Sequence, residues 1–206
     1  MLGWVLRTFR SRDPEVMKSL FKAMVLSKLD YCSLLIHPTL VSHTLKIEQV
    51  QRPFTCRISG MYGMNHWERL KYLKLYSVER RRERFIIIYT FKILHDLVPN
   101  PGIQFKTSKR LGINCIIPHV PTTIPSYIRQ RRFQSFRFIA ARLFNCLPIE
   151  LRSYKPDCQN IVFSFKVKLD KFLSNIPDQP TVYGLQRMAN TNSISDQIHY
   201  LNENNY

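Results

Sequence analysis

The chain has 206 residues, 45% of them hydrophobic, which is enough for one compact domain or two small ones. Thirty-one Lys and Arg against fourteen Asp and Glu give a formal net charge of +17, so a polyanion is the leading candidate for a partner. The basic residues are spread among aromatic ones rather than massed beside a hydrophobic anchor. RNA or DNA therefore fits this charge better than a membrane surface, and a merely basic soluble protein stays an alternative.

The cysteines and the apolar runs indicate the compartment. The five cysteines form no CxxC pair, and three arginines interrupt the apolar start where a secretory signal would lie. The longest apolar run, residues 85–91, is far too short to span a bilayer. We therefore expect an intracellular chain, cytoplasmic or nuclear, with free thiols and no membrane partner. The cysteines are Cys32, Cys56, Cys115, Cys146 and Cys158, and the arginines are Arg7, Arg10 and Arg12.

Helix signals dominate residues 1–98. The run Asp13-Pro14-Glu15 predicts a helix start, because it supplies an N-cap oxygen, a first-turn proline and an acid near the positive end of the helix dipole. Pro38 is expected to end this helix. The residues predicted to form its apolar stripe are Val16, Leu20, Met24, Tyr31 and Leu35.

A second helix is predicted from Ser42 or Thr44, and Pro53 should kink or divide it. Two glycines then predict a turn, and Asn65 followed by Glu68 resembles a capping box. The residues expected to face inward in the second helix are Leu45, Val50, Phe54 and Ile58, and the glycines are Gly60 and Gly63.

The segment 68–97 combines a charged helix start with an apolar face. Ser77 can cap a helix whose first turns carry several arginines, and prolines stop it after residue 98. The density of arginines suggests an electrostatic role, and a solvated helix end is the alternative. The arginines are Arg80, Arg81, Arg82 and Arg84. The predicted buried face is Phe85, Ile86, Tyr89, Ile93, Leu94 and Leu97, and the prolines are Pro99 and Pro101.

The remaining chain divides into three parts. Residues 99–127 predict a loop with one or two short strands, that is, a loop or a short β-hairpin insert in an otherwise mainly α fold. Residues 128–183 predict helices near Ser135 and after Asn160. Residues 184–206 are rich in Asn, Ser and Gln and predict a disordered tail. The inner faces expected in the third part are Ile139, Leu143 and Leu147, then Ile161, Phe165, Leu169, Phe172 and Leu173.

The most informative basic segment is YIRQRRFQSFRFIAAR, residues 127–142, which contains no acidic residue. Guanidiniums can grip phosphates in a bidentate manner, and aromatic faces can stack on unpaired bases. Core packing of Phe136 and Phe138 is an alternative for those rings. The candidate phosphate contacts in this segment are Arg129, Arg131 and Arg132, beside Arg80, Arg81, Arg82 and Arg84.

No catalytic or cofactor site is predicted. The acidic residues are scattered, whereas two-metal phosphoryl transfer needs clustered carboxylates. Cys115 and His119 have a ligand-like spacing, but no second pair completes a zinc site. A glycine-rich phosphate loop does not occur, so we expect no cofactor.

Several segments resemble, in collinear order, the region that follows the catalytic palm in reverse transcriptases of jockey-like non-LTR retrotransposons. The first are LGWVLRTFRSR (2–12), LSKLDYCSLLIHP (26–38), IEQVQRPFTCRISG (47–60), WERLKYLKLYSVERRRER (67–84) and FKIL (91–94). FNCLPIELR (144–152) and FSFKVKLDKFLSNIPDQPTVY (163–183) resemble the end of the same polyproteins. The resemblance implies a helical thumb-like bundle and a C-terminal segment that hold RNA or DNA.

The sequence also departs from this family. The family's catalytic motif, a tyrosine followed two residues later by paired aspartates, is absent, so RNA-directed DNA polymerase activity is not expected of this chain. Asp30 stands where the family often has glutamate, Phe144 replaces the usual tryptophan, and Pro53 is unusual. The implied function is that of a transposable-element fragment that binds nucleic acid. The alternative is an interaction module that packs on a polymerase palm domain without binding nucleic acid itself.

Overall fold

The computed structural model describes residues 2–31, 33, 41–99, 101–108, 112–155, 160–180 and 192–204, which are mainly α-helical as predicted. A π-helical stretch, Phe21–Leu26, lies between α2 and α3. The strands are β1 (Thr107–Ser108) and β2 (Asn114–Cys115). The helices are α1 (Leu2–Thr8), α2 (Pro14–Leu20), α3 (Ser27–Asp30), α4 (Val41–Glu48), α5 (Gln51–Cys56), α6 (His66–Leu73), α7 (Val78–Leu94), α8 (Ser126–Phe133), α9 (Phe136–Asn145), α10 (Ile149–Arg152), α11 (Ile161–Ser174) and α12 (Ile194–Asn204).

The chain forms two compact units. The first comprises Met1–Arg82 with Asp178–Asn192, and the second comprises Glu83–Pro177 with Ser193–Tyr206. The boundary therefore falls inside α7, whereas the sequence suggested divisions at residues 98, 127 and 183. Within the described ranges, no helix is long and apolar enough to cross a membrane.

The predicted start of α2 is confirmed, but its buried stripe is displaced by one residue. The Asp13 carboxylate accepts hydrogen bonds from the backbone N–H groups of Glu15 and Val16. Met17, Phe21 and Val25 are buried, whereas the predicted Val16 and Tyr31 are exposed. The predicted stripe and the observed one both consist of apolar residues at helical spacing. The observed stripe is the buried one because it contains Phe21, whose ring stacks on Phe54 at a centroid distance of 4.5 Å. The prediction that this helix continues to Pro38 is wrong, because the helical run ends at Asp30 and the backbone of Tyr31 is extended, with ψ of 128°. Leu35 and Pro38 themselves lie outside the described residues.

The predicted division near Pro53 is confirmed. The chain turns at Gln49 and Val50, so Pro53 occupies the first turn of α5, where a backbone N–H has no partner within the helix. Phe54 and Ile58 are buried as predicted, whereas Leu45 is exposed.

The turn between α5 and α6 and the capping box after it are confirmed. Gly60 and Gly63 have φ values of 78° and 84°, which glycine adopts at little cost. The Asn65 side chain accepts from the backbone of Trp67 and Glu68, while Glu68 accepts from the Asn65 N–H. These elements close the core of the first unit, which consists of Val5, Leu6, Met17, Phe21, Val25, Leu26, Phe54, Ile58, Met61, Leu70, Leu73 and Leu75.

The longest helix, α7, is buried on more sides than its predicted stripe. Ser77 caps it as predicted, because its hydroxyl accepts from the Arg80 N–H at 3.2 Å. Three consecutive residues, Ile86, Ile87 and Ile88, are buried, which a single stripe at helical spacing does not allow. The predicted Leu97 is exposed and lies beyond the end of the helix. The second unit packs around α7, and Phe91 stacks on Phe165 at 3.8 Å between ring centroids.

Of the two alternatives predicted for residues 99–127, a loop or a short β-hairpin, the structure contains the hairpin. Strands β1 and β2 pair antiparallel, with Thr107 opposite Cys115 and Ser108 opposite Asn114. The Asn145 side chain holds β2 against the end of α9, since it accepts from the Cys115 N–H at 2.9 Å and donates to the Cys115 carbonyl at 2.8 Å.

The prediction of disorder is wrong for residues 194–204, which form α12. Ile194, Ser195 and Gln197 are buried, and the helix packs beside α9 in the second unit. Composition concealed this helix, because its apolar residues Ile194, Ile198 and Leu201 are few but recur at helical spacing. Residues 184–191 and 205–206 lie outside the described ranges.

Candidate nucleic-acid interface

The first arginine of α7, Arg80, lies beside a carboxylate of the first unit. Arg80 is fully buried, and its Nε lies 3.5 Å from Oδ1 of Asp178. Asp178 also accepts from the N–H and hydroxyl of Ser77, at 2.8 and 2.7 Å, and from the Asn192 amide. Because Arg80 is buried and faces a carboxylate, a phosphate could not reach it. Its position therefore indicates a role in the fold.

Arg81 and Arg82 are associated with one carboxylate, Asp30. Arg81 binds it in a bidentate manner, with Nε–Oδ1 and Nη2–Oδ2 distances of 2.8 and 2.6 Å. Arg82 is buried, and its Nε and Nη1 have no hydrogen-bond partner in the described part of the chain. Burial lowers the pKa of Arg82, and the nearby charge of Asp30 opposes that shift.

Arg84, in the second unit, forms a bidentate pair with Asp170. The Nε–Oδ1 and Nη2–Oδ2 distances are 2.5 and 2.7 Å, and the arginine side chain is 16% exposed. A guanidinium in such a pair would have to exchange one anion for another before it could hold a phosphate. The geometry of all four α7 arginines therefore favours a role in the fold.

Helix α8 presents the other three candidate arginines differently. None of its side chains is buried, and Arg131 and Arg132 are exposed while Arg129 is half-buried. These three guanidiniums make no ion pair with another described residue. Arg129 and Arg132, three residues apart, share one side of the helix, and Arg131 shares another side with Tyr127. Helix α8 is thus a basic surface on more than one side.

The aromatic residues of this segment divide between packing and exposure. Phe136 contacts Tyr89 edge to face at 5.8 Å between centroids, and Phe138 contacts Phe133 at 4.9 Å. Tyr127 is 63% exposed and Phe133 is 43% exposed. The rings of α9 therefore serve packing, whereas those of α8 remain accessible.

The two arginines of α9 have separate surroundings. Arg142 donates to Ser195 and Asp196 at 2.8 and 3.0 Å, so α12 engages it. Arg137 is exposed and lines a cleft of about 840 Å³ in the second unit, which we call the loop cleft. The last residues of α7, the chain that follows it and the first residue of β1 complete the lining: Ile93, Leu94, Asp96, Pro101, Gly102, Ile103, Gln104, Phe105 and Thr107.

The two residues of the spaced pair, Cys115 and His119, differ in exposure. Cys115 is buried, whereas His119 is exposed. Burial raises the pKa of the Cys115 thiol to about 11, although the charge of Arg152 acts in the opposite direction. The thiol is therefore protonated at neutral pH and is a poor ligand and nucleophile. Across the described ranges, no group of three or more His, Cys, Asp or Glu residues could hold a metal ion.

Sequence reasoning missed the acidic partners and the loop cleft. Asp30, Asp170 and Asp178 lie 51, 86 and 98 positions from the arginines they face, Arg81, Arg84 and Arg80, and no local pattern joins such pairs. The residues of the loop cleft come from three separate segments. The only signal for it was Arg137, which lies in the basic segment 127–142.

Comparison with known proteins adds no assignment. Neither models of protein families, nor curated proteins, nor solved structures gave a match to this chain.

Proposed function

We propose that the chain binds the phosphate backbone of RNA or DNA through α8, as a thumb-like helical region of the kind that follows the palm in non-LTR retrotransposon reverse transcriptases. In this proposal it has no polymerase centre of its own. Arg129, Arg131 and Arg132 are the phosphate contacts.

The observation that carries the proposal is the exposure of α8. It is a basic helix with no buried side chain, in a segment without acidic residues, on a chain of net charge +17. Arginines kept apart from internal carboxylates retain their full attraction for a polyanion. The collinear resemblance and the mainly helical fold agree with this role.

The test replaces Arg129, Arg131 and Arg132 together by Gln and follows binding of labelled single-stranded and duplex oligonucleotides by fluorescence anisotropy. If all three arginines contact phosphates, the wild-type chain should lose affinity with a slope of about −2 to −3 in log K against log salt. The variant should bind more weakly at low salt, and its slope should approach zero.

A matched control separates this site from the overall charge. Arg10, Arg52 and Arg57 are exposed arginines of the first unit, and their replacement by Gln removes the same three charges. We expect this control to retain most of the wild-type affinity and slope. Equal weakening in both variants would contradict a site on α8.

A second candidate, packing on a palm domain without nucleic-acid binding, is favoured by one observation. Phe163 and Val167, four residues apart on α11, are 64% and 53% exposed, which leaves an apolar strip uncovered on one side of the helix. Mixing the chain with a separately produced palm domain of a jockey-like element, followed by size-exclusion chromatography, tests it. This candidate predicts a complex that the Phe163→Ser, Val167→Ser variant loses and that Arg129→Gln, Arg131→Gln, Arg132→Gln retains.

A further inference from the structure

We propose that the loop cleft takes one unpaired base of the strand whose phosphates α8 holds, so that the chain prefers single-stranded to duplex nucleic acid. This inference rests on the proposed function, because it uses α8 to bring the strand to the cleft.

The size of the loop cleft suits a nucleotide. Its volume of about 840 Å³ lies within the range of roughly 300–1,000 Å³ that is usual for small-molecule sites. The cleft is partly open to solvent, and a base that stays joined to its strand needs such an opening. All of its lining residues belong to the second unit, which also contains α8.

The cleft is connected to the basic surface of α8 by a short chain segment. Arg137 lines the cleft, and Arg132 precedes it by five residues, so at most about 18 Å of chain separates them. The contact between Phe133 and Phe138 folds the junction of α8 and α9 and brings the two ends closer than that limit. A strand on α8 can therefore place its next phosphate at Arg137, which makes no ion pair with another described residue.

The lining residues can contact both the apolar faces and the polar edge of a base. Ile93, Leu94, Ile103 and Phe105 offer apolar contact to its faces, and Asp96, Gln104 and Thr107 offer hydrogen-bonding groups to its edge. A base in a duplex already uses both surfaces for stacking and pairing, so only an unpaired base can enter. The Asp96 carboxylate is an acceptor, which favours bases that carry an exocyclic amino group, such as cytosine.

The test compares two labelled strands of equal length, a short deoxycytidine oligonucleotide and an abasic oligonucleotide with the same phosphates. By fluorescence anisotropy, the wild-type chain should bind the deoxycytidine strand about tenfold more tightly, the effect expected of one well-stacked base. Phe105→Leu should bring this ratio close to one and leave the affinity for the abasic strand unchanged. The abasic strand also reports whether the variant is folded.

A control variant and two contrary outcomes make the test decisive. Tyr72→Leu changes an exposed aromatic residue on α6, outside the cleft, and should keep the wild-type ratio. Equal wild-type affinity for the two strands would overturn this inference and leave the proposed function standing. If Tyr127→Leu, but not Phe105→Leu, abolishes the preference for the deoxycytidine strand over the abasic strand, the base binds on α8. That result would also overturn this inference. A chain that binds neither strand refutes the proposed function itself.

Discussion

At the residue scale, the arginines of this chain differ in what surrounds them more than in their chemistry. Arg80 is buried against Asp178, Arg81 and Arg84 hold carboxylates in bidentate pairs, and Arg131 and Arg132 are exposed to solvent. Removing a buried guanidinium from water costs several kcal/mol unless an anion faces it. The carboxylates beside the α7 arginines therefore belong to the fold, whereas exposed guanidiniums need no such compensation.

The Asp178→Asn variant tests the structural role of the buried arginine. The change removes the charge that faces Arg80 and one of the two acceptor oxygens that Ser77 and Asn192 use. We expect a loss of roughly 3–5 kcal/mol in the free energy of unfolding, the usual result of removing one partner of a buried ion pair. Urea denaturation followed by circular dichroism measures it.

The control for Asp178→Asn is a solvent-exposed pair. Asp196 contacts Arg142 at 3.0 Å, with side chains 37% and 53% exposed, so Asp196→Asn should cost about 1 kcal/mol or less. Losses of the same size in the two variants would show that burial does not distinguish these ion pairs.

At the element scale, the starts of two helices are stabilised by residues that are distant in sequence. Helix α7 has its predicted cap, Ser77, but the N–H of Val78 also donates to Glu48 at 2.9 Å, and Glu48 in turn bonds the buried His66 at 2.8 Å. Helix α12 begins in the same way, because the N–H of Ile194 donates to Glu83 at 2.6 Å. Carboxylates from other segments thus satisfy N–H groups that a helix leaves unpaired at its start.

The Glu83→Ala variant tests whether this carboxylate anchors α12. Glu83 is buried and accepts from Ser193 and Ile194, so its removal leaves a hydroxyl and a backbone N–H without their acceptor. We expect a cost of roughly 1–2 kcal/mol. Hydrogen exchange should show the largest loss of amide protection in α12.

Glu150 provides the comparison, since it is an exposed glutamate in the short helix α10 of the same unit. Glu150→Ala should leave the exchange of α12 unchanged. If Glu83→Ala leaves α12 as protected as in the wild-type chain, the helix is held by its other contacts, which include those with Arg142.

At the scale of the whole molecule, composition gives the net charge, whereas only the structure shows the two units. The net charge of +17 is a property of composition, and it predicts the class of partner without locating a surface. The unit boundary, between Arg82 and Glu83, falls inside a continuous helix, so the sequence shows no linker or change of composition there. The arginines of α7, the densest cluster in the sequence, are buried or paired with carboxylates, whereas the basic residues of α8 are accessible.

The amino-acid sequence by itself determined the features that depend on neighbours within a few residues. These include the Asp13 cap, the capping box of Asn65 and Glu68, and the turn at Gly60 and Gly63. Only the tertiary structure decided the register of the stripe in α2, the burial of the α7 arginines, the formation of α12 and the lining of the loop cleft. Each of these depends on contacts between residues from distant parts of the chain. Local periodicity and composition do not predict such contacts.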